Sequence, residues 1–283
     1  MTQIFILGVG RTGSKFYMQL LNTHKDIFIS PELIFRHPVK KDFYTLINDA
    51  IKAEESLESI VDKLFNFKER LPYIKTIQKI GKAKLTDALS RLNELTPYAI
   101  FDCIIHLSAE VEGKTIYGAK FPIHYKYSQE LIEFYKESKI FYLTRDPRAI
   151  YASDIRKKRK EQKTEYYRFK VKYFLRFFVL FYTIFEWRMS LRIYEKCKNK
   201  FSNNAIKLMK YENIIADNNS VIKEIALFIN CNAKDFNLEK VKIVDSSYEK
   251  GISANRWRAN INGLEKLIFK LFVGNKMKKY GYK

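Results

Sequence analysis

Apolar residues along this chain change their rhythm several times, and each change marks an element. Residues 4–7 (IFIL) form a continuous apolar run, the pattern of a parallel strand buried on both faces. Gly8-Val9-Gly10-Arg11-Thr12-Gly13 breaks the run, and residues 14–21 then carry Phe16, Leu20 and Leu21 at helical spacing. From about 40 to 95 the apolar positions recur at three and four, as in Ile47 with Ile51 and Ile60 with Leu64, which predicts helices. Residues 98–105 (YAIFDCII), 115–119 and 139–144 (KIFYLT) read as strands, with a short helix over 128–136. A long helical region over roughly 164–200, a strand at 205–209 and a helix at 220–229 follow. This alternation predicts an α/β protein with three layers, a doubly wound and mainly parallel sheet flanked by helices. Ligands of such sheets sit beyond the carboxyl ends of the strands. Both Gly8–Ser14 and Arg145–Arg148 fall at such ends.

Length and composition narrow the picture only a little. The chain has 283 residues, of which 47% are hydrophobic, enough for a substantial core. With no solenoid repeat and few Gly or Pro, one domain is expected over 1–283, with a helical insertion at about 40–95. The formal net charge of +21 suits nucleic acid, an anionic membrane face, or a phosphorylated or sulfated ligand. A lysine-rich solvated surface explains it equally well. Cys103, Cys197 and Cys231 are scattered, with no C-x-x-C or Cys/His spacing, so neither disulfides nor a metal site are expected. The run 177–185 (FFVLFYTIF), closed by Arg176 and Glu186, is far shorter than the ~20 residues of a membrane span. A strand so near the N-terminus leaves no room for a signal peptide. The expected location is cytoplasmic, with peripheral contact to the inner membrane face left open.

The glycine loop admits three readings. Gly8 to Gly13 matches G-x-G-x-x-G, the dinucleotide fingerprint, which also wants an acidic residue about 20 positions on at the end of a second strand. Glu32 has the distance but follows Ser30-Pro31, with no strand evident before it. The loop also approaches G-x-x-x-x-G-K-[ST], except that Ser14-Lys15 has hydroxyl and lysine in reversed order. A small-molecule or nucleoside kinase therefore stays as an alternative. A phosphosulfate is the third ligand. All three rest on one physical basis: glycines bring backbone N–H groups to an oxyanion, the helix start favours negative charge, and Arg11 adds a donor fork.

Residues 141–153 (FYLTRDPRAIYAS) supply a second motif: a strand, Arg145 at its end, and a helix carrying Ser153 eight positions later. This segment resembles the 3′-phosphate site of the PAPS-dependent sulfotransferases (PAPS is 3′-phosphoadenosine-5′-phosphosulfate). Residues 4–21 are similar to the same family's 5′-phosphosulfate loop, whose bacterial and Golgi members often read R-S-G-T-T where this chain has Arg11-Thr12-Gly13-Ser14-Lys15. Lys15 departs from that pattern. Weaker similarity continues through 22–32, mapping the family's carboxylate base to Glu32, and through 115–122, mapping a lysine near the transferred group to Lys120. Residues 208–215 resemble the Tyr-Glu segment, with Tyr211 as a nucleotide contact. Residues 250–258 resemble the loop that closes on the 3′-phosphate, which maps Ser253 and Arg256.

The resemblance implies a P-loop-like sulfotransferase fold and transfer of a sulfuryl group from PAPS to a hydroxyl, with PAP as product and no metal. Gly10, Arg11, Thr12, Gly13, Ser14 and Lys15 would hold the phosphosulfate, and Arg145 with Ser153 the 3′-phosphate. Lys120 and Arg11 would stabilise charge in the transition state. Glu32 would take the acceptor's proton, with His37, His106 and His124 as rivals, since cytosolic members use a histidine. A carbohydrate or glycolipid is the expected acceptor, and nucleic acid is not an expected partner. The amphipathic segments 166–188 and 264–279 read first as core-facing helices and second as an interfacial membrane anchor.

Overall fold

The computed structural model describes residues 3–31, 35–36, 42–67, 71–161, 170–201, 204–240 and 256–283. Five strands, β1 (Gln3–Gly8), β2 (Ile27–Ser30), β3 (Ile116–Lys120), β4 (Lys139–Thr144) and β5 (Ile206–Lys210), form one parallel sheet in the order β2-β3-β1-β4-β5. The register pairs Phe5 with Ala119 on one side and with Ile140 on the other. Gly8, Lys120, Thr144 and Lys210 consequently end their strands on one edge of the sheet.

Alternating side chains feed two cores. Ile4, Ile6, Phe141 and Leu143 pack with α1 (Ser14–Leu21) and, from late in the chain, the helical residues 211–229. Phe5, Leu7, Ile140 and Tyr142 face the opposite core, where most of the remaining helices lie. In chain order these begin with α2 (Phe43–Lys52), α3 (Leu57–Asn66), α4 (Leu71–Ile80), α5 (Lys82–Ser90) and α6 (Pro97–Val111). They continue with α7 (Ser128–Phe134), α8 (Pro147–Glu161), α9 (Lys170–Lys200) and α12 (Gly263–Lys279), while α10 (Tyr211–Ala216) and α11 (Asn218–Ile229) lie on the α1 side. The architecture is the three-layer, doubly wound α/β sheet expected from the pattern, and among the described residues every strand pairing is parallel.

Two expectations are corrected. Residues 98–105 are not a strand but the body of α6, whose Ile100, Phe101, Ile104, Ile105 and Ser108 are buried at spacings of one, three and four. A short apolar run does not distinguish a buried strand from a buried helix. The start signal was present: the Thr96 hydroxyl accepts from Ala99 N at 3.1 Å, and Pro97 occupies the first helical turn. Conversely, residues 27–30 do form a strand, β2, directly before Pro31. Only four residues long, it sits at the sheet edge and is held in register by β3.

Candidate active site

The glycine loop leaves β1 under tight steric control. Gly8 has φ +135°, and a Cβ there would lie 2.4 Å from the Leu143 carbonyl oxygen of β4. Gly13 has φ +85°, and its Cβ would strike the Tyr211 ring at 2.3 Å. Between them Arg11 also adopts the left-handed region, φ 68°, a conformation that costs a non-glycine residue roughly 1–2 kcal/mol. Thr12 is buried and donates its hydroxyl proton to Val9 O at 2.8 Å, closing the loop. No side chain caps α1; its first internal bonds run from Phe16 and Tyr17 to Gly13 O. The Ser14 and Lys15 amides precede those bonds and, as helix-start N–H groups, have no intrahelical acceptor.

The end of β4 meets this loop directly. Arg145 donates from Nη1 to Arg11 O at 3.1 Å, and Arg11 donates from Nε to Ser153 Oγ at 3.0 Å. The Arg145 guanidinium lies 4.0 Å from the centre of the Tyr211 ring, the same ring that crowds Gly13. Trp187 Nε1 donates to Arg145 O at 3.0 Å, and Asp146 N donates to Glu212 Oε1 at 2.9 Å, so the turn after β4 is braced from two helices. Burial lowers the Arg145 pKa below its ordinary value, with Arg11 and Arg156 adding to the effect. Its Nε is buried with no acceptor among the described residues. A buried, unpaired guanidinium donor is costly unless an anion takes it. The arrangement therefore fits a phosphate.

In front of the loop opens a cavity of about 500 Å³. Gly10, Arg11, Ser14, Lys15 and Lys120 line one side. Gly10 is exposed and has no neighbour within 4 Å of where a Cβ would stand, so its backbone is open to a ligand. Lys120 is buried at the end of β3, while Lys15 is exposed. Helices α8 and α9 form the other wall and contribute residues that the sequence reading passed over: Asp154, Lys157 and Glu186. Glu186 accepts from Tyr125 Oη at 2.6 Å and from Lys126 Nζ at 2.8 Å. Both of its oxygens are engaged, which suits it to positioning rather than proton transfer. Burial and this carboxylate together raise the Tyr125 hydroxyl far above its ordinary pKa. A signal existed for Glu186, a lone acid in the apolar stretch 177–187, but it served there only as a boundary.

The remaining candidates separate. Tyr211 is buried at the start of α10, against Gly13 and Arg145. Glu32, His37 and Ser253 lie outside the described residues, as does the side chain of Arg256. His106 sits on α6, 3.9 Å from Glu110, beside a different cavity. His124 is buried and accepts Arg36 N at Nε2, 2.5 Å away. Neither histidine is among the residues lining the cavity at the glycine loop.

A parallel sheet that opens through a glycine loop into a helix, with two arginines meeting at the strand ends, defines an α/β protein built to hold oxyanions. Residues 3–235 match the sulfotransferase family, and the chain belongs to that family. Among solved structures it is similar to the sulfotransferase domain of the Synechococcus PCC 7002 olefin synthase, at TM-score 0.58 and 17% identity over 100% of this chain and 95% of the other. It is likewise similar to the sulfotransferase domain of the curacin biosynthetic pathway (TM-score 0.55, 16% identity, 100% and 98% covered). A third is a sulfotransferase of Mycobacterium avium (TM-score 0.55, 12% identity, 99% and 77% covered). At such identities the likeness is one of fold. No curated protein matches the chain by sequence. Membership makes the chain a sulfotransferase-family enzyme and implies PAPS as donor.

Proposed function

We propose that this enzyme transfers the sulfuryl group of PAPS to a hydroxyl of a carbohydrate or glycolipid, using the loop and strand ends described above. The observation that carries the reading is the junction of Arg11, Arg145 and Ser153, which joins two anion sites distant in sequence. Arg11, Ser14 and the amides at the start of α1 hold the phosphosulfate, with Lys15 beside them. Thr12 shapes the loop from within. Arg145 and Ser153 hold the 3′-phosphate: Ser153 Oγ accepts from Arg11, which leaves its own proton to donate. Tyr211 flanks the nucleotide, and the family resemblance assigns Ser253 and Arg256 to the 3′-phosphate as well.

Lys120, which lines the cavity at the end of β3, stabilises charge on the bridging oxygen as the S–O bond to the nucleotide breaks. The acceptor oxygen forms the new bond to sulfur, its proton passes to Glu32, and PAP departs. In-line transfer of this kind gains most from positioned donors and cations. Support for a sugar acceptor comes from the cavity wall, which is lined by the carboxylates Asp154 and Glu186 and by Tyr125 and Tyr182.

Calorimetry with PAP and with ATP–Mg²⁺ tests the reading. The wild type should bind PAP, and Arg11→Ala and Arg145→Ala should each weaken it by about 10- to 100-fold, the worth of a charge-assisted hydrogen bond. Binding of ATP–Mg²⁺ in preference to PAP would overturn it in favour of a kinase.

A further inference from the structure

Helices α9 and α12 each carry two apolar faces, and folding uses only one of them. On α9 the side chains of Val179, Leu180, Ile184 and Trp187 are buried. On α12 the buried ones are Phe269, Val273 and Met277. The opposite faces are apolar as well. Phe178, Phe181 and Phe185 recur at three and four along α9, and Leu264, Leu267 and Leu271 do so along α12. All six are exposed, Phe178 to 61%, Phe185 to 60% and Leu271 to 71%. Single exposed apolar residues need no explanation, but a contiguous patch does. The two helices touch at this surface: the exposed Phe181 and Phe272 rings meet edge to face at 5.6 Å, and Phe178 stacks on Tyr182.

Cations punctuate the same surface. Arg188 stands three positions after Phe185 and Arg192 seven after it, so both continue the α9 stripe, and both are exposed. Lys270, three after Leu267, is exposed on α12. The surface also runs into the mouth of the active-site cavity, because Tyr182 of the stripe lines that cavity alongside Thr183 and Glu186.

We propose that the outer face of α9 and α12 docks on an anionic lipid bilayer. An apolar stripe bordered by Arg and Lys is complementary to an acyl boundary beneath negative head groups. A second copy of this chain is the poorer occupant, because it would bring the same cations, on a molecule of net charge +21, against themselves. Among the described residues no helix is long and apolar enough to cross a membrane, so the face lies on the bilayer and does not span it. The consequence for substrate, which rests on the sulfuryl-transfer reading above, is that the acceptor is an amphiphile. Its tail stays in the bilayer while its head-group hydroxyl passes Tyr182 to reach the loop.

Sedimentation of the full chain with phosphatidylcholine vesicles, with and without phosphatidylglycerol, tests the docking. Vesicles containing phosphatidylglycerol should retain the protein at low salt, and retention should weaken as salt is raised. Combined Phe178→Ser, Phe185→Ser and Leu271→Ser should lower that retention at least about tenfold, with PAP affinity unchanged as the readout of an intact fold. Arg188→Glu with Lys270→Glu should abolish the preference for phosphatidylglycerol and serves if the triple variant fails to fold. No retention at low salt, or retention unchanged in both variants, overturns the proposal. So does a dimer in sedimentation velocity that the apolar substitutions dissociate. Loss of PAP binding by the wild type would instead count against the donor reading and leave the vesicle result standing.

Discussion

The donor end of this molecule and the acceptor wall facing it are built by different means. At the donor end the positions are set by backbone. Gly8 lies against Leu143 O, Gly13 against the Tyr211 ring, and Arg145 reaches the carbonyl of Arg11. Strand register brings these groups together, and a Cβ added at Gly8 or Gly13 collides. The acceptor wall is made of side chains on α8 and α9: Asp154, Lys157, Tyr182 and Glu186 around an open volume of about 500 Å³. Side chains on helices can be exchanged without moving the sheet. Under the proposed function, specificity for the acceptor belongs to the helical side.

Substitutions at the two ends should therefore fail differently. The largest effect is expected from Glu32→Gln, which removes the proposed base: turnover should fall by about 10²- to 10⁴-fold while PAP affinity holds. Near-normal turnover would remove Glu32 from the role. Gly13→Ala should act on the donor end alone. The left-handed backbone and the clash with Tyr211 should destabilise the fold by roughly 1–3 kcal/mol and weaken PAP binding. In the Tyr211→Ala background Gly13→Ala should cost less stability than in the wild type, a recovery read as coupling in a double-mutant cycle by thermal denaturation, since the ring that the new methyl strikes is gone. No recovery would mean that backbone strain, rather than the ring, sets the loop.

Glu186→Gln should touch the acceptor wall only. It breaks the charge-assisted bond with Lys126 and should raise the acceptor KM by about three- to tenfold with PAP affinity unchanged. A fall in PAP affinity would erase the distinction between the two ends.

The smallest effect lies at the far edge of the sheet, where His24 is buried and accepts Asp26 N at Nδ1, 3.1 Å away. Burial lowers its pKa below the ordinary 6.5, outweighing the nearby Asp26 and Asp235. The unfolded chain then takes up a proton that the folded chain refuses. Stability should be full above about pH 6.5 and decline as pH falls below it. His24→Asn should flatten that slope in thermal denaturation measured between about pH 7.5 and 5.5, and PAP binding at neutral pH should not change. An unaltered slope would assign the acid lability to other groups.

Much of the molecule is legible before any coordinates. The helices over 40–95 follow from periodicity, because burial on one face leaves a repeat in the chain, while β4 is legible to the residue, and β1 to within one at each end, as apolar runs buried on both faces. Two elements escape this logic. β2 is four residues long, too short for a period to show, and its supposed absence weighed against the dinucleotide reading. Helix α6 is so apolar that its run reads as a strand, although Thr96 and Pro97 mark a helix start. Asp154 was missed because an acid on a helix carries no sign of the cavity it will face, whereas Glu186, a lone acid in an apolar stretch, marked itself but served only as a boundary.

By itself the sequence narrowed the chemistry to the binding of oxyanions, and the resemblance of its motifs to one family selected the ligand. Two motifs, 8–15 and 145–153, each pair a strand end with groups that bind oxyanions, and their spacing is a local property of the chain. What only the tertiary structure decided is how those motifs share a site. Parallel pairing of β1 with β4 sets Gly8 beside Leu143, and that register lets Arg11 reach Ser153 across 142 positions of sequence. The cavity wall and the exposed apolar faces of α9 and α12 belong to the same category. A helical stripe shows which residues lie together, but packing against the sheet decides which stripe is buried and which is left to meet something else.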